Sequence, residues 1–255
     1  MTKQKTLRSN IARSTPSSVT IKGYDLCSDL LGVASLGDMA YLGMMDRLPD
    51  ARESIMVNAM MVALVEHGIT PSAIATRMTY AGAPEAMQAA IGAGLSGLGS
   101  NYVGSMENAA RLLQEHLNRE TNPQATAERI VSACRSDNRQ VPGIGHSLHK
   151  PVDPRAVRLI EIARDQGFVG RYVETMEEVA HHAGRVLGKS LPMNATGAIA
   201  AIASEMGVPW KLVRGLGVAA RAVGLLAHIK EEIENPIALT IKKRVQTEAE
   251  GGEFE

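Results

Sequence analysis

Proline punctuates this sequence at helix starts. Thr70-Pro71, Asn122-Pro123, Asp153-Pro154 and Val208-Pro209 each stand immediately before a run with helical character. Proline at the first helical position sacrifices no hydrogen bond and presets φ, and a Thr, Asn or Asp just before it can cap the free N–H groups. A chain with several such starts is committed to helices. The runs between them agree. Glu53 to Glu66 is apolar and unbroken, which predicts a buried helix. Pro84 to Leu95 is rich in Ala and Gly, which suits a helix whose backbone approaches its neighbours. Further helices are predicted over Ser105 to Leu117, from Asn122 to about Cys134, over Tyr172 to Leu187, over a short apolar run ending at Met206, and from Val208-Pro209 to just before Asn235-Pro236. Hydrophobic residues make up 45% of the chain but aromatics only 3%, so the core must be built from Ala, Leu, Ile, Val and 13 Met. That mix favours packed helices over a sheet. The fold class expected is all-α.

The 255 residues suggest one large helical domain (19–136 and 192–240) with a small lobe (137–191). Residues 1–18 read as a flexible N-terminal arm and 241–255 as a charged, frayed tail. Ile21 to Asp29 reads as a short extended piece. Asp29 to Leu48 reads as a helical region broken by Gly32 and Gly37. Helices apolar all round are buried inside a subunit or against another, which predicts a homodimer. Formal net charge is zero, so no basic face is expected and nucleic acid is not a predicted partner. Cys27 and Cys134 read as buried thiols of a reducing compartment. The basic start has no apolar run behind it, and no stretch is expected to reach the length of a membrane span. A cytoplasmic protein without a membrane is the expectation. His146 and His149 are three apart and His181 and His182 adjacent, but no Cys pair or acid completes a ligand set, so no metal is predicted. Gly92 to Gly104 lacks the Gly-Lys-Ser/Thr ending of a phosphate loop.

The stretch Val141-Pro142-Gly143-Ile144-Gly145-His146, ending in Asp153-Pro154-Arg155, carries the chemistry. Its glycines permit close approaches, and Asp153 caps a helix whose apolar Ala156, Leu159, Ile160 and Ala163 share a face up to Gly167. His146 and Arg155 would flank a turn with room for an anion between them. Arg221 lies in the apolar run Val218 to Gly224, where a charge requires a partner, either a buried acid or a bound carboxylate. His67 closes a buried helix as either a carbonyl cap or a ligand donor.

This stretch resembles the loop of the citrate synthase superfamily that covers acyl-CoA and carries a substrate-binding histidine. Glu66-His67-Gly68 resembles that family's acidic-His-Gly turn. Ala220-Arg221 to His228 resembles its late arginine-donating helix, and Ile21 to Pro49, with Gly23-Tyr24, its N-terminal region. The resemblance runs from about Val19 to Pro236, and the length is similar to the compact citryl-CoA lyases and the lyase module of ATP-citrate lyase. It implies an enzyme that makes or breaks a carbon–carbon bond by retro-Claisen chemistry on a carboxylated 3-hydroxyacyl-CoA. Coenzyme A thioester would be substrate or product, and a di- or tricarboxylate or oxo acid the other ligand. In the roles implied, His146 polarises the reacting oxygen as the lobe closes. His67, Arg155 and Arg221 hold carboxylates. Val141, Gly143, Ile144, Gly145 and Lys150 meet CoA. Two positions depart from the family pattern. Thr196, in Pro192-Met193-Asn194-Ala195-Thr196-Gly197, stands where an aspartate moves the α-proton, and Val103 stands where a second histidine holds the enol oxygen. A threonine hydroxyl is not a base near pH 7 unless something activates it. Asn101, Tyr102, Val103 and Asn194 are auxiliary candidates. Thioester hydrolysis or decarboxylation on the same site, or ligand binding without catalysis, are the alternatives.

Overall fold

Side-chain caps rather than long hydrophobic signals set the local structure at the N-terminal end. The computed structural model describes residues 7–100, 102–118, 122–146 and 148–251, and its contacts divide the chain into residues 1–59 and 60–255. In the first unit, β1 (Ala12–Ser14), β2 (Val19–Ile21) and β3 (Tyr24–Asp25) form an antiparallel sheet in that order, with Ala12 opposite Ile21 and Thr20 opposite Asp25. The β2–β3 turn is Lys22-Gly23, both at positive φ (51° and 92°), the pair of angles a two-residue hairpin needs. Residues 12–14 are therefore not the loose arm the sequence suggested. Thr15 and Ser18 close the first hairpin: Thr15 N–H donates to Ser18 O at 2.8 Å and Ser18 N–H to Thr15 Oγ1 at 3.0 Å.

A π-helical turn (Leu26–Leu30) leads to α1 (Leu36–Met45). Cys27, on this turn, is exposed and not buried as expected, whereas Cys134 is buried. Ser35 and Asp38 form a reciprocal capping box at its start. Gly37, expected to break this helix, lies inside it. A Cβ there would sit 2.4 Å from Asn58 Oδ1, so glycine serves a close approach. Helix α2 (Ala51–Val65) begins in this unit and runs into the next. Its start is held by Asp50, which accepts from Arg52 and Glu53 N–H at 2.8 and 2.9 Å.

The second unit holds α3 (Pro71–Gly82), α4 (Met87–Ser96), α5 (Gly104–Leu117), α6 (Pro123–Ser136), α7 (Pro154–Asp165), α8 (Arg171–Leu187), α9 (Ala195–Glu205), α10 (Trp210–Glu234) and α11 (Ala238–Ala249). The expected caps are in place. Thr70 accepts from Ala73 N–H at 3.3 Å, Asn122 from Ala125 at 2.9 Å and Asp153 from Arg155 at 3.0 Å. Helix α9 is the axis, packed by α5, α7, α8 and α10, and Ala198 through Ala203 are all fully buried. Small side chains there let the surrounding helices approach closely.

The sequence leaves α4 buried inside the subunit or against another; within the chain only Ala90 and Gly94 of its residues are buried, and Met87 is exposed. Two other expectations fail in this unit. The charged tail is not frayed from 241. It continues as α11, because Glu232 Oε1 accepts the N–H of Ile237 and Ala238 at 3.0 and 2.9 Å. Helix α10, at 25 residues, is long and apolar enough to cross a membrane by length and composition. It packs as a core helix, with Val213, Leu216, Ala220, Leu225 and Ile229 buried against its neighbours.

Candidate active site

The glycine loop is fastened to the start of α9 by backbone hydrogen bonds. Gly145 N–H donates to Pro192 O at 2.7 Å, Asn194 N–H to Gly143 O at 3.0 Å and Asn194 Nδ2 to Gly145 O at 2.7 Å, with Ile144 and Met193 bridged. Gly143 and Gly145 take φ of 84° and 71°, where a side chain is strained. A Cβ on Gly197 would lie 2.1 Å from Gly143 O. Two glycines are thus needed to press this loop onto this helix. Asp153 adds a third fastening, accepting Ala195 N–H at 3.0 Å.

Beside this junction lies a cavity of about 340 Å³. His67, Arg155, Arg221, His146, Thr196, Asn194, Tyr102 and Val103 all line it, so the sequence candidates from five separate stretches converge. Val141, Gly143, Ile144, Gly145 and Lys150 are outside its lining. Gly143 is buried and Lys150 exposed. Asn101 lies outside the described residues.

His146 is held in one orientation. Its Nδ1 accepts N–H from Leu148 and His149 at 3.1 and 3.0 Å. That assigns the proton of the neutral ring to Nε2, which faces His67 Nε2 at 3.5 Å and Arg155 Nη2 at 3.4 Å. Burial, then the neighbouring His149 and Arg155, push the His146 pKa below its ordinary value. His67 is pushed down by burial and by Arg155. At neutral pH His146 is a neutral N–H donor aimed at the cavity.

Arg155 is anchored by its own capping residue. Its Nε and Nη2 donate to Asp153 Oδ1 and Oδ2 at 3.1 and 2.9 Å. Burial raises the Asp153 pKa, but Arg155 and the Ala195 N–H outweigh it and bring it down to about 2. Arg221 is 11% exposed and meets Glu66 Oε1 through Nη1 at 3.4 Å. Its Nε is buried with no hydrogen-bond partner among the described residues. A half-buried guanidinium with a buried, unsatisfied Nε beside a cavity is poised for an anion.

Thr196 sits in a hydroxyl chain. Its Oγ1 donates to Asn194 Oδ1 at 2.8 Å and lies 3.0 Å from Ser105 Oγ. Asn194 is the α9 cap, also accepting Thr196 and Gly197 N–H. Among the described residues the hydrogen-bond partners of Thr196 Oγ1 are Asn194 and Ser105, neither of them a base, so the hydroxyl is not activated.

The ring nitrogens of His67, His146 and His149 lie within 4.8 Å of one another, a cluster invisible in the sequence spacing. It suits a metal poorly. The His146 nitrogen facing the cluster carries the proton, and Arg155 adds positive charge at 3.4 Å. The set is better suited to an anion. Sequence reasoning missed Ser105 and Glu66 as site residues. Glu66 was visible only as part of the acidic-His-Gly turn, and Ser105 had no local signal.

Residues 28–242 match the model of the family "Citrate synthase, C-terminal domain". The chain belongs to the citrate synthase family. Among solved structures it is similar to citryl-CoA lyase from Hydrogenobacter thermophilus, with TM-score 0.82 and 37% identity over 91% of this chain and 88% of that one. ATP citrate lyase from Methanothrix soehngenii, solved with citrate and coenzyme A, shares the fold with TM-score 0.77 and 20% identity, over 92% of this chain and 40% of that one. An alkylcitrate synthase of Talaromyces stipitatus is 21% identical over 194 residues, 74% of this chain. The chain spans 42% of that curated relative's length.

Proposed function

We propose that this protein is a CoA-dependent carbon–carbon lyase or synthase of the citryl-CoA lyase type, acting on a carboxylated 3-hydroxyacyl-CoA. The observation that carries the reading is the convergence of His146, His67, Arg155 and Arg221 on one cavity. His146 Nε2–H meets the oxygen on which charge develops as the carbon–carbon bond breaks. Arg155 and Arg221 take the carboxylates as bidentate donors. The thioester half enters along the loop 141–145, with Lys150 toward the phosphates. The 37% identity to a citryl-CoA lyase supports the substrate class. A homodimer is part of the reading, supported by the apolar surface that α4 leaves open.

One observation favours a second reading. Thr196 is locked as a donor to Asn194, and Val103 presents only hydrocarbon to the cavity. Loss of a proton-transfer group costs about 10²–10⁴ in rate. Binding without turnover, or hydrolysis or decarboxylation of a related thioester, is the alternative. Calorimetry separates site from turnover. Wild-type protein should bind CoA together with citrate or oxaloacetate, and His146→Ala should lose the carboxylate. Absence of carboxylate binding in wild type would remove the reading.

A further inference from the structure

A carboxylate stands behind the two residues assigned to the ligand, and a buried chain of polar groups stands behind that carboxylate. Glu66 Oε1 accepts the backbone N–H of His67 at 2.7 Å, and lies 3.4 Å from Arg221 Nη1 and 3.1 Å from His228 Nε2, the last a close contact outside hydrogen-bond alignment. His228 is 8% exposed, and its Nδ1 accepts from Arg77 Nε at 3.1 Å. That bond assigns the neutral ring's proton to Nε2, the nitrogen facing Glu66. Arg77 is fully buried, tied to Glu232 at 2.9 Å and also to Glu231. Glu232 in turn caps α11. The contacts therefore run from Arg77 on α3 through His228 on α10 to Glu66 just past the end of α2.

We infer that Glu66 and His228 are positioning residues, which aim Arg221 and the backbone of His67 at the ligand carboxylate. The inference rests on the carboxylate-binding reading above. A plain alternative is that Glu66 merely occupies Arg221 until the ligand displaces it. The distances favour positioning. The Arg221 contact is single and long, whereas the shorter contacts of Glu66 are to His67 N–H and His228. Burial raises the Glu66 pKa, but those donors outweigh it and keep the group ionised. Arg221 Nε is meanwhile left without a partner among the described residues. A buried arginine on a flexible stem binds a planar anion well only if its orientation is fixed beforehand.

The test is calorimetric titration of the full chain with citrate and, separately, with free CoA. Glu66→Ala and His228→Leu should each raise the citrate Kd about tenfold, the effect of losing one hydrogen bond to a charged group, with the CoA Kd unchanged. His228→Gln can accept from Arg77 and donate to Glu66, and should keep the citrate Kd within about twofold of wild type. Three results overturn the inference. A citrate Kd unchanged or lowered in Glu66→Ala would make Glu66 a competitor of the ligand. Equal losses for citrate and CoA, with no rescue in His228→Gln, would mean a structural role only. Wild type that binds CoA but no carboxylate would remove the underlying reading together with this one.

Discussion

Asp153 does three tasks with one carboxylate. It caps α7, anchors the Arg155 guanidinium and fastens the start of α9. Its folded pKa, about 2, lies below the unfolded carboxylate value, so its contribution is present above about pH 4 and is lost as pH falls toward 2. Asp153→Asn should cost about 2 kcal/mol at pH 7 in denaturant unfolding, with the difference from wild type closing as pH falls to about 2. A difference independent of pH would contradict this origin. Thr196 gives a second prediction at this scale. Replacing a locked hydroxyl with a carboxylate supplies the missing base, so Thr196→Asp should raise the rate of cleavage at least about tenfold if proton transfer limits it. His146, Arg155, Arg221 and His67 were legible in the sequence because each lies in a short motif of its own. Ser105 and His228 were not, because their roles arise from partners 91 and 151 positions away.

Helices were read well where a cap is local and poorly where it is tertiary. Asp153-Pro154 and Asn122-Pro123 announce α7 and α6 within two residues. Helix α11 is amphiphilic at best, with only Ala238 buried, and its start is capped by Glu232 from the preceding helix. A window confined to 241–255 is dominated by Lys, Arg and Glu. The hairpin at 12–21 is similarly made by Thr15 and Ser18 bonding to each other, where composition alone reads as a loose tail. Between elements, Gly143 fits tightly against Gly197. Gly197→Ala should push the loop from α9 and cost about 1–3 kcal/mol by overpacking. Its citrate affinity should fall as well, since His146 hangs from the same loop. Unchanged stability and affinity would show that the junction is soft.

At the scale of the molecule, the all-α architecture followed from proline-capped starts and an aromatic-poor core, and the family from motifs spread over most of the chain. Helix α4, packed on α3 and α10, leaves Met87 exposed and Ile91 and Leu95 half-buried within one chain. Sedimentation at micromolar concentration should therefore give a dimer, and a monomer would leave that surface unexplained. If the cavity of His146, Arg155 and Arg221 holds a carboxylated thioester and breaks its carbon–carbon bond, as proposed, wild type should release acetyl-CoA and oxaloacetate from citryl-CoA, and His146→Ala should do so more slowly. The expected result is cleavage by wild type, slow but above the uncatalysed background, and at least about tenfold less by the variant. Citryl-CoA that binds wild type tightly yet persists uncleaved, at the same rate with and without His146, would contradict it.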